Sequence, residues 1–329
     1  MILIKTPLRI SFFGGGTDLP EWLKNNRGAA INTTIDKYTF TTIRQIPSFY
    51  NINYRLRYYK HEQVINSSDI KHNSIREAVK LFDLKGPIEI SHNSDLVAQS
   101  GLGSSSSFTV SLVHGISLIK KYTITKKNLA KNAIKIEQDL LKENVGNQDQ
   151  ISCSYGGFNY LSLQGKNFEV TPIKKNNNIK KIENSLVFIH CGVFRNADLI
   201  EKKKILKIKK GFKNSTLNQI NQLTKEAYLE LQSSNFSLSI WGKYLNEYWL
   251  LKKQLDKSVT MNKIENIHKK AIECGAFGGK LLGAGGGGFM VFICNSSSKK
   301  KIEKIFKRKI LNNVKFCKMG STALINNFS

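Results

Sequence analysis

The sequence is short of acid, of arginine and of cysteine, and it contains no long apolar run. Its 24 Asp and Glu face 51 Lys and Arg, which leaves a formal charge of +27 over 329 residues. That excess keeps nucleic acid, anionic membrane and acidic small molecules open as partners. Only eight of the 51 are arginine, and the lysines come with many Asn and Ile, as AT-rich coding alone produces. Charge therefore selects no partner. The five cysteines, Cys153, Cys191, Cys274, Cys294 and Cys317, form an odd set without a C-x-x-C pair or a histidine at ligand spacing, which argues against a disulfide framework and a zinc site. The opening MILIKTPLRI meets Lys5 and Pro7 before an apolar stretch long enough for a secretion signal develops. The longest weakly polar run, Leu281 to Cys294, is glycine-rich and falls short of the ~20 residues that span a bilayer. A soluble, cytoplasmic protein is expected. No internal repeat of fixed period is visible.

What is present suits a folded protein. With 40% hydrophobic and 23% charged residues, the chain can build one large core or two ordinary ones, so disordered and fibrous classes are excluded. Residues Ile2 to Phe13 alternate and are rich in β-branched and aromatic side chains, a strand running into Gly14, Gly15 and Gly16. Ala30 to Arg44 and Ile88 to Ser91 read as further strands. Phe108, Leu112, Ile116 and Ile119 recur at helical spacing after a Gly/Ser turn, and Asn128 to Glu143 forms a second helix with Leu129, Ala133, Ile136 and Leu140 on one face, stopped at Gly146. Strand hairpins follow Tyr155. The run Lys174 to Lys181 marks a boundary, which predicts two units, 1–180 and 181–329. In the second, Leu186 to Cys191 and Phe289 to Cys294 read as strands, Thr216 to Leu255 as two helices, and Lys299 to Lys309 as a surface helix with a solvated basic face. Interleaved helices and strands of this kind predict an α/β or α+β architecture.

Three glycine clusters and two carboxylates carry chemistry. In Gly101-Leu102-Gly103-Ser104-Ser105-Ser106-Ser107, glycines allow close backbone approach, and the helix start that follows presents free N–H groups and a positive dipole end to phosphate. Serine hydroxyls there can also ligate magnesium. A plain Gly/Ser turn with a serine N-cap fits the spacing equally well. No Walker string G-x-x-x-x-G-K-[ST] occurs. The cluster at Gly283, Gly285, Gly286, Gly287 and Gly288 contains a formal G-x-G-x-x-G, but it leads into a strand and not a helix, which excludes a dinucleotide fingerprint. It remains either a close-approach loop or a hairpin loop. Glu137 shares or borders the apolar stripe of its helix, where a carboxylate calls for a cation, an exposed or salt-bridged glutamate being the ordinary alternative. Asp149 follows in Gly146-Asn147-Gln148-Asp149-Gln150, where a helix N-cap is the ordinary alternative.

Taken in order, three strings resemble the GHMP kinase superfamily: Thr6-Pro7-Leu8-Arg9-Ile10-Ser11-Phe12-Phe13-Gly14-Gly15-Gly16-Thr17-Asp18-Leu19-Pro20, the Gly101–Ser105 cluster, and Lys280-Leu281-Leu282-Gly283-Ala284-Gly285 through Phe289. GGGTDLP, IDKY (Ile35 to Tyr38), GLGSSSSFTV, GNQDQ and KLLGAGGGGF are most similar to its D-glycero-D-manno-heptose 7-phosphate kinase group. One departure is that Asp95 to Ser100 lacks the proline common ahead of the second string.

The resemblance implies an α+β fold with a ribosomal-protein-S5-like N-terminal domain and a ferredoxin-like C-terminal domain. It implies a kinase that uses ATP and Mg2+ to phosphorylate the anomeric hydroxyl of the heptose phosphate, in supply of GDP-heptose for surface polysaccharide. By the same resemblance Gly101, Leu102, Gly103, Ser104, Ser105 and Ser106 hold ATP, and Ser105 with Glu137 holds magnesium. Asp149 acts as base beside Arg9, and Gly16, Thr17 and Asp18 contact the sugar. The loop Gly283, Gly285, Gly286 and Gly287 closes the site. Arg27, Arg44, Arg76 and Arg195 are candidates for the substrate's own phosphate. A kinase for fucose or galactose, a catalytically dead sensor on the same fold, and a basic nucleic-acid-binding protein are the alternatives.

Overall fold

The structure is a computed structural model, and it describes residues 1–174, 176–192, 205–206, 208 and 213–327. In chain order the strands are β1 (Ile2–Phe13), β2 (Arg27–Gln45), β3 (Tyr54–Arg57), β4 (His61–Val64), β5 (Ile88–Ser94), β6 (Phe158–Gln164), β7 (Asn167–Pro172), β8 (Leu186–His190), β9 (Gly278–Leu281), β10 (Phe289–Ile293), β11 (Phe316–Cys317) and β12 (Thr322–Asn326). The helices are α1 (Pro20–Leu23), α2 (Asn73–Leu81), α3 (Ser104–Ile119), α4 (Lys126–Ile134), α5 (Gln148–Tyr155), α6 (Asn177–Ser185), α7 (Asn214–Gln232), α8 (Leu238–Leu255), α9 (Asn262–Glu273) and α10 (Ser296–Phe306).

A nine-stranded sheet runs β12-β1-β2-β5-β3-β4, with β6 and β11 also paired to β2 and β7 to β6. The 19-residue β2, rich in Thr and Ile, is long enough to pair with β6 through Arg27 to Thr33 and with β5 through Thr39 to Gln45. Helix α3 packs on β1 and β2, and α5 packs beside it. A three-stranded sheet, β8-β10-β9, carries its own apolar layer of Val187, Ile189, Met290 and Phe292 under Ile264, Ile267 and Ile302. Helix α8 bridges the two, with α7 packed beside it on β1 and β2: Trp241 and Tyr248 of α8 lie against Phe12 and Phe13 at the end of β1, with ring centroids 5.0 to 5.9 Å apart.

Two expectations are refined. The boundary at 180/181 falls inside α6, and β11 and β12 return to the large sheet, where β12 pairs with β1 and β11 with β2. The helix predicted over Asn128 to Glu143 is α-helical only to Ile134 and then runs as a π-helix over Lys135–Leu140, its wider turn seen in the Leu141 N–H donating to Ile136 O at 2.9 Å. That turn rotates Leu140 out to 37% exposure while Glu137 goes to 1%. All five cysteines are free, and no described helix is long and apolar enough to cross a membrane.

Candidate active site

A cavity of about 740 Å³ opens where the end of β1, the N-terminal turns of α3 and α5, the π-helix, α8 and the loop after β9 converge. Helix α3 starts at Gly103 (φ 75), and no side chain caps it. Its first-turn N–H groups thus face the cavity beside Gly101, Gly103, Ser104, Ser105 and Ser106, which removes the serine-cap alternative. Leu102 is the exception in this turn: it is buried in the core, and its carbonyl accepts the Arg9 N–H at 2.9 Å.

The third glycine cluster is the roof of that turn. A Cβ at Gly101 would stand 2.7 Å from Leu282 O, and one at Gly283 2.7 Å from Gly101 Cα. Only glycine pairs let the two loops touch, and the Phe289 N–H donating to Ser100 O at 3.0 Å ties them.

Asp149 does not cap α5. Asn147 holds the N-cap position, while the Asp149 carboxylate is gripped in a fork by Arg9 Nε at 2.7 Å and Nη2 at 2.6 Å. Arg9 Nη1 donates to Gly101 O at 2.7 Å, so one guanidinium fixes both the carboxylate and the glycine turn. Burial works against the charge on Arg9, and the adjoining Asp149 more than offsets it, so the guanidinium is held more firmly protonated than usual. The Asp149 side chain keeps 24% of its surface open towards the cavity.

Glu137 is the second buried carboxylate. Its Oε2 accepts from Ser106 Oγ at 2.9 Å and from Gln150 Nε2, and Oε1 has no hydrogen-bond partner, although Thr109 lies near enough to influence its charge. Burial, with a smaller contribution from Glu143, pushes its carboxyl up to about 7. An unpartnered carboxylate oxygen beside a serine hydroxyl suits a divalent cation, and no group of three His, Cys, Asp or Glu among the described residues could hold one without help. That donor set fits magnesium, which takes one or two protein oxygens and completes its shell from phosphates and water. Ser106 is the serine bonded to Glu137, while Ser105, expected to share the cation with Glu137, lines the cavity exposed at its mouth, one residue and about 100° round the helix.

At the opposite end, Asp18 is 3% exposed and accepts the Gly16 N–H at 2.8 Å. Gly146, read from sequence as a helix stop, has a different reason to be glycine, since a Cβ there would sit 1.9 Å from Asp18 Oδ2. Gly16 lines the cavity, but Thr17 does not: its hydroxyl turns inward to donate to Gly14 O at 2.8 Å and Ala29 O at 3.0 Å. Nor do the candidate arginines converge. Arg27 is exposed, Arg44 is on Glu89, Arg76 is on Glu77 and Ile70 O, and none lines the cavity, while Arg195 lies outside the described residues.

Sequence reasoning passed over Gln148, Tyr248, Lys142, Lys252 and Lys280, all of which line the cavity. Lys280 is 1% exposed and donates to Ser11 O and Phe12 O at 2.8 and 3.0 Å, 4.2 Å from the Tyr248 ring centre. Lys252 donates to Leu281 O at 3.2 Å and to Gly283 O. Lys280 opens the string Lys280-Leu281-Leu282-Gly283, but no local pattern distinguishes a lysine buried by another element from a solvated one.

A phosphate-ready helix start roofed by a second glycine loop, with a carboxylate–arginine pair and a cation-seeking glutamate on its walls, defines a phosphotransferase of the two-domain α+β type. The chain belongs to the GHMP kinases: the family's N terminal domain matches residues 73–157 and its C terminal region residues 231–311. It is 30% identical over 321 residues, 93% of each chain, to the D-glycero-alpha-D-manno-heptose 7-phosphate kinase of Campylobacter jejuni. It is 24% identical over 306 residues, 89% of this chain and 90% of the relative, to the mevalonate kinase of Saccharolobus solfataricus. In fold it superposes on a D-glycero-D-manno-heptose 1-phosphate kinase from Bacteroides thetaiotaomicron with a TM-score of 0.79 over 99% of both chains, at 21% identity. It is an ATP-dependent kinase of sugar-kinase type.

Proposed function

We propose that the chain transfers the γ-phosphate of ATP to the anomeric hydroxyl of D-glycero-D-manno-heptose 7-phosphate, giving the 1,7-bisphosphate for a polysaccharide precursor. The observation that carries the chemistry is Asp149, clamped by Arg9 yet open to the cavity, beside a bare helix start. The full-length likeness to a heptose 7-phosphate kinase supports the choice of sugar.

In this reading the N–H groups of Gly103 to Ser106 hold the ATP phosphates and the Gly283–Gly287 loop closes over them. Gly16 and Asp18 hold the sugar. Asp149 orients the acceptor hydroxyl and takes its proton, a modest demand because an anomeric hydroxyl is more acidic than an ordinary alcohol. Arg9 fixes the position of the Asp149 carboxylate and offsets charge on the transferred group. Glu137 and Ser106 would hold magnesium, which when bound neutralises phosphate oxygens.

ADP release measured with heptose 7-phosphate, unphosphorylated heptose, fucose, galactose and mevalonate tests the substrate. The expected outcome is the highest kcat/KM with heptose 7-phosphate. Equal or better use of fucose or of the free heptose would overturn the heptose-phosphate assignment and leave the kinase class standing.

A further inference from the structure

Six non-glycine residues among those described hold a left-handed backbone: Asn51, Asp83, Gln99, Lys121, Lys142 and Asn313. Three are Asn or Asp, which tolerate that region. Lys121 follows the end of α3, its N–H donating to Leu118 O as in an ordinary helix termination. Gln99 leads into the phosphate turn. Lys142, at φ 54, follows the π-helix and lines the cavity, at a position where glycine or asparagine would be less strained.

Its side chain differs from the other cations of the cavity. Arg9 is bonded to Asp149 and Gly101 O, Lys252 to Leu281 O and Gly283 O, and Lys280 to Ser11 O and Phe12 O. Lys142 makes no hydrogen bond or ion pair with any described residue. The backbone ties it to the Glu137 end of the cavity, because the N–H of the next residue, Glu143, donates to Glu137 O at 2.8 Å.

We propose that Lys142 is a nucleotide-binding residue whose ammonium takes a phosphate oxygen of ATP. A lysine held in a disfavoured conformation with no partner among the described residues fits a partner that arrives with the ligand. A compact ammonium on a flexible stem suits a phosphate oxygen. The proposal rests on the cavity being the ATP site and is independent of which sugar is phosphorylated.

The test is calorimetric titration of the full chain with a non-hydrolysable ATP analogue and with adenosine, for wild type, Lys142→Gly, Lys142→Asn and Lys142→Arg. Glycine and asparagine relieve the backbone, so Tm should stay level or rise by about 1–3 °C. The Kd for the ATP analogue should rise about 10- to 100-fold in both, as loss of a charge-assisted hydrogen bond predicts. Adenosine, which has no phosphate, should bind all four proteins alike, and Lys142→Arg should retain most of the ATP affinity. Wild-type affinity for the ATP analogue in a well-folded Lys142→Gly protein would overturn the proposal, leaving Lys142 a turn residue. So would an equal loss for adenosine, or a loss confined to the KM of the sugar phosphate. Failure of the substrate assignment would show separately, as a wild type that binds ATP and ignores heptose 7-phosphate.

Discussion

Arg9 and Asp149 act as a unit because the same guanidinium that pairs the carboxylate also holds Gly101 O. Replacing Asp149 by Asn should keep that geometry and remove the base. Turnover should fall roughly 10²- to 10⁴-fold, with ATP affinity within a few-fold of wild type. Steady-state rates within a few-fold of wild type would remove Asp149 from the mechanism. Glu137 poses a different question, since a buried glutamate beside Ser106 and Gln150 could serve structure alone. Glu137→Gln should raise the magnesium concentration needed for half-maximal rate. An unchanged magnesium titration together with a lower Tm would assign Glu137 to packing.

At the scale of elements, α3 carries the phosphate-facing turn at one end and Phe108 a turn further on. Phe108 is packed by His92 of β5 (ring centroids 4.3 Å apart) and by His72 ahead of α2 (5.2 Å). Burial, and secondarily the neighbouring His72, lowers His92 from the usual imidazole value to about 4. The unfolded chain therefore binds the proton more tightly, and folding stability is intact above about pH 6.5 and declines as the pH drops towards 4. A shift of this size corresponds to roughly 2–3 kcal/mol over that window. Urea unfolding at pH 7 and pH 4.5 should show that decline in wild type and a clearly smaller one in His92→Phe, which keeps the ring packing without the titrating group. Identical pH profiles for the two proteins would mean that His92 is not the titrating element.

Across the whole molecule, the chain closes on itself. Strand β12 covers the outer edge of β1, Phe316 of β11 packs on Phe12 and Phe158, and Ser321 Oγ meets Thr6 and His114. The tail also lies against the end of α5, where a Cβ at Gly156 would stand 2.1 Å from Gly320 N. Ending the chain after Lys315 should therefore destabilise the first sheet, although the missing residues come last in sequence. The half-buried Phe316 loses its packing on Phe12 and Phe158, the β12 pairing is lost with it, and the bared β1 edge invites association. Differential scanning fluorimetry and light scattering would register a lower Tm and larger particles; a truncated chain as stable and monodisperse as the full one would contradict this account.

What was legible in the sequence was local. Alternation over Ile2 to Phe13, the helical spacing after Gly103 and the three glycine clusters depend on neighbours a few residues apart, and each lies in its expected element. The family followed from strings of the same local kind. Tertiary structure alone decided the rest, because each remaining question turned on a contact between distant segments. Whether Ser105 or Ser106 meets Glu137 depends on helix phase against a π turn. That Thr17 points inward depends on Ala29 of the next strand, and that Arg44 and Arg76 are engaged elsewhere depends on Glu89 and Glu77. Lys252 and Lys280 became part of the cavity only when α8 and β9 were laid against the end of β1. A one-dimensional pattern records which faces are apolar; it does not record which foreign carbonyl or carboxylate will stand opposite a given side chain, and that opposition is what makes a site.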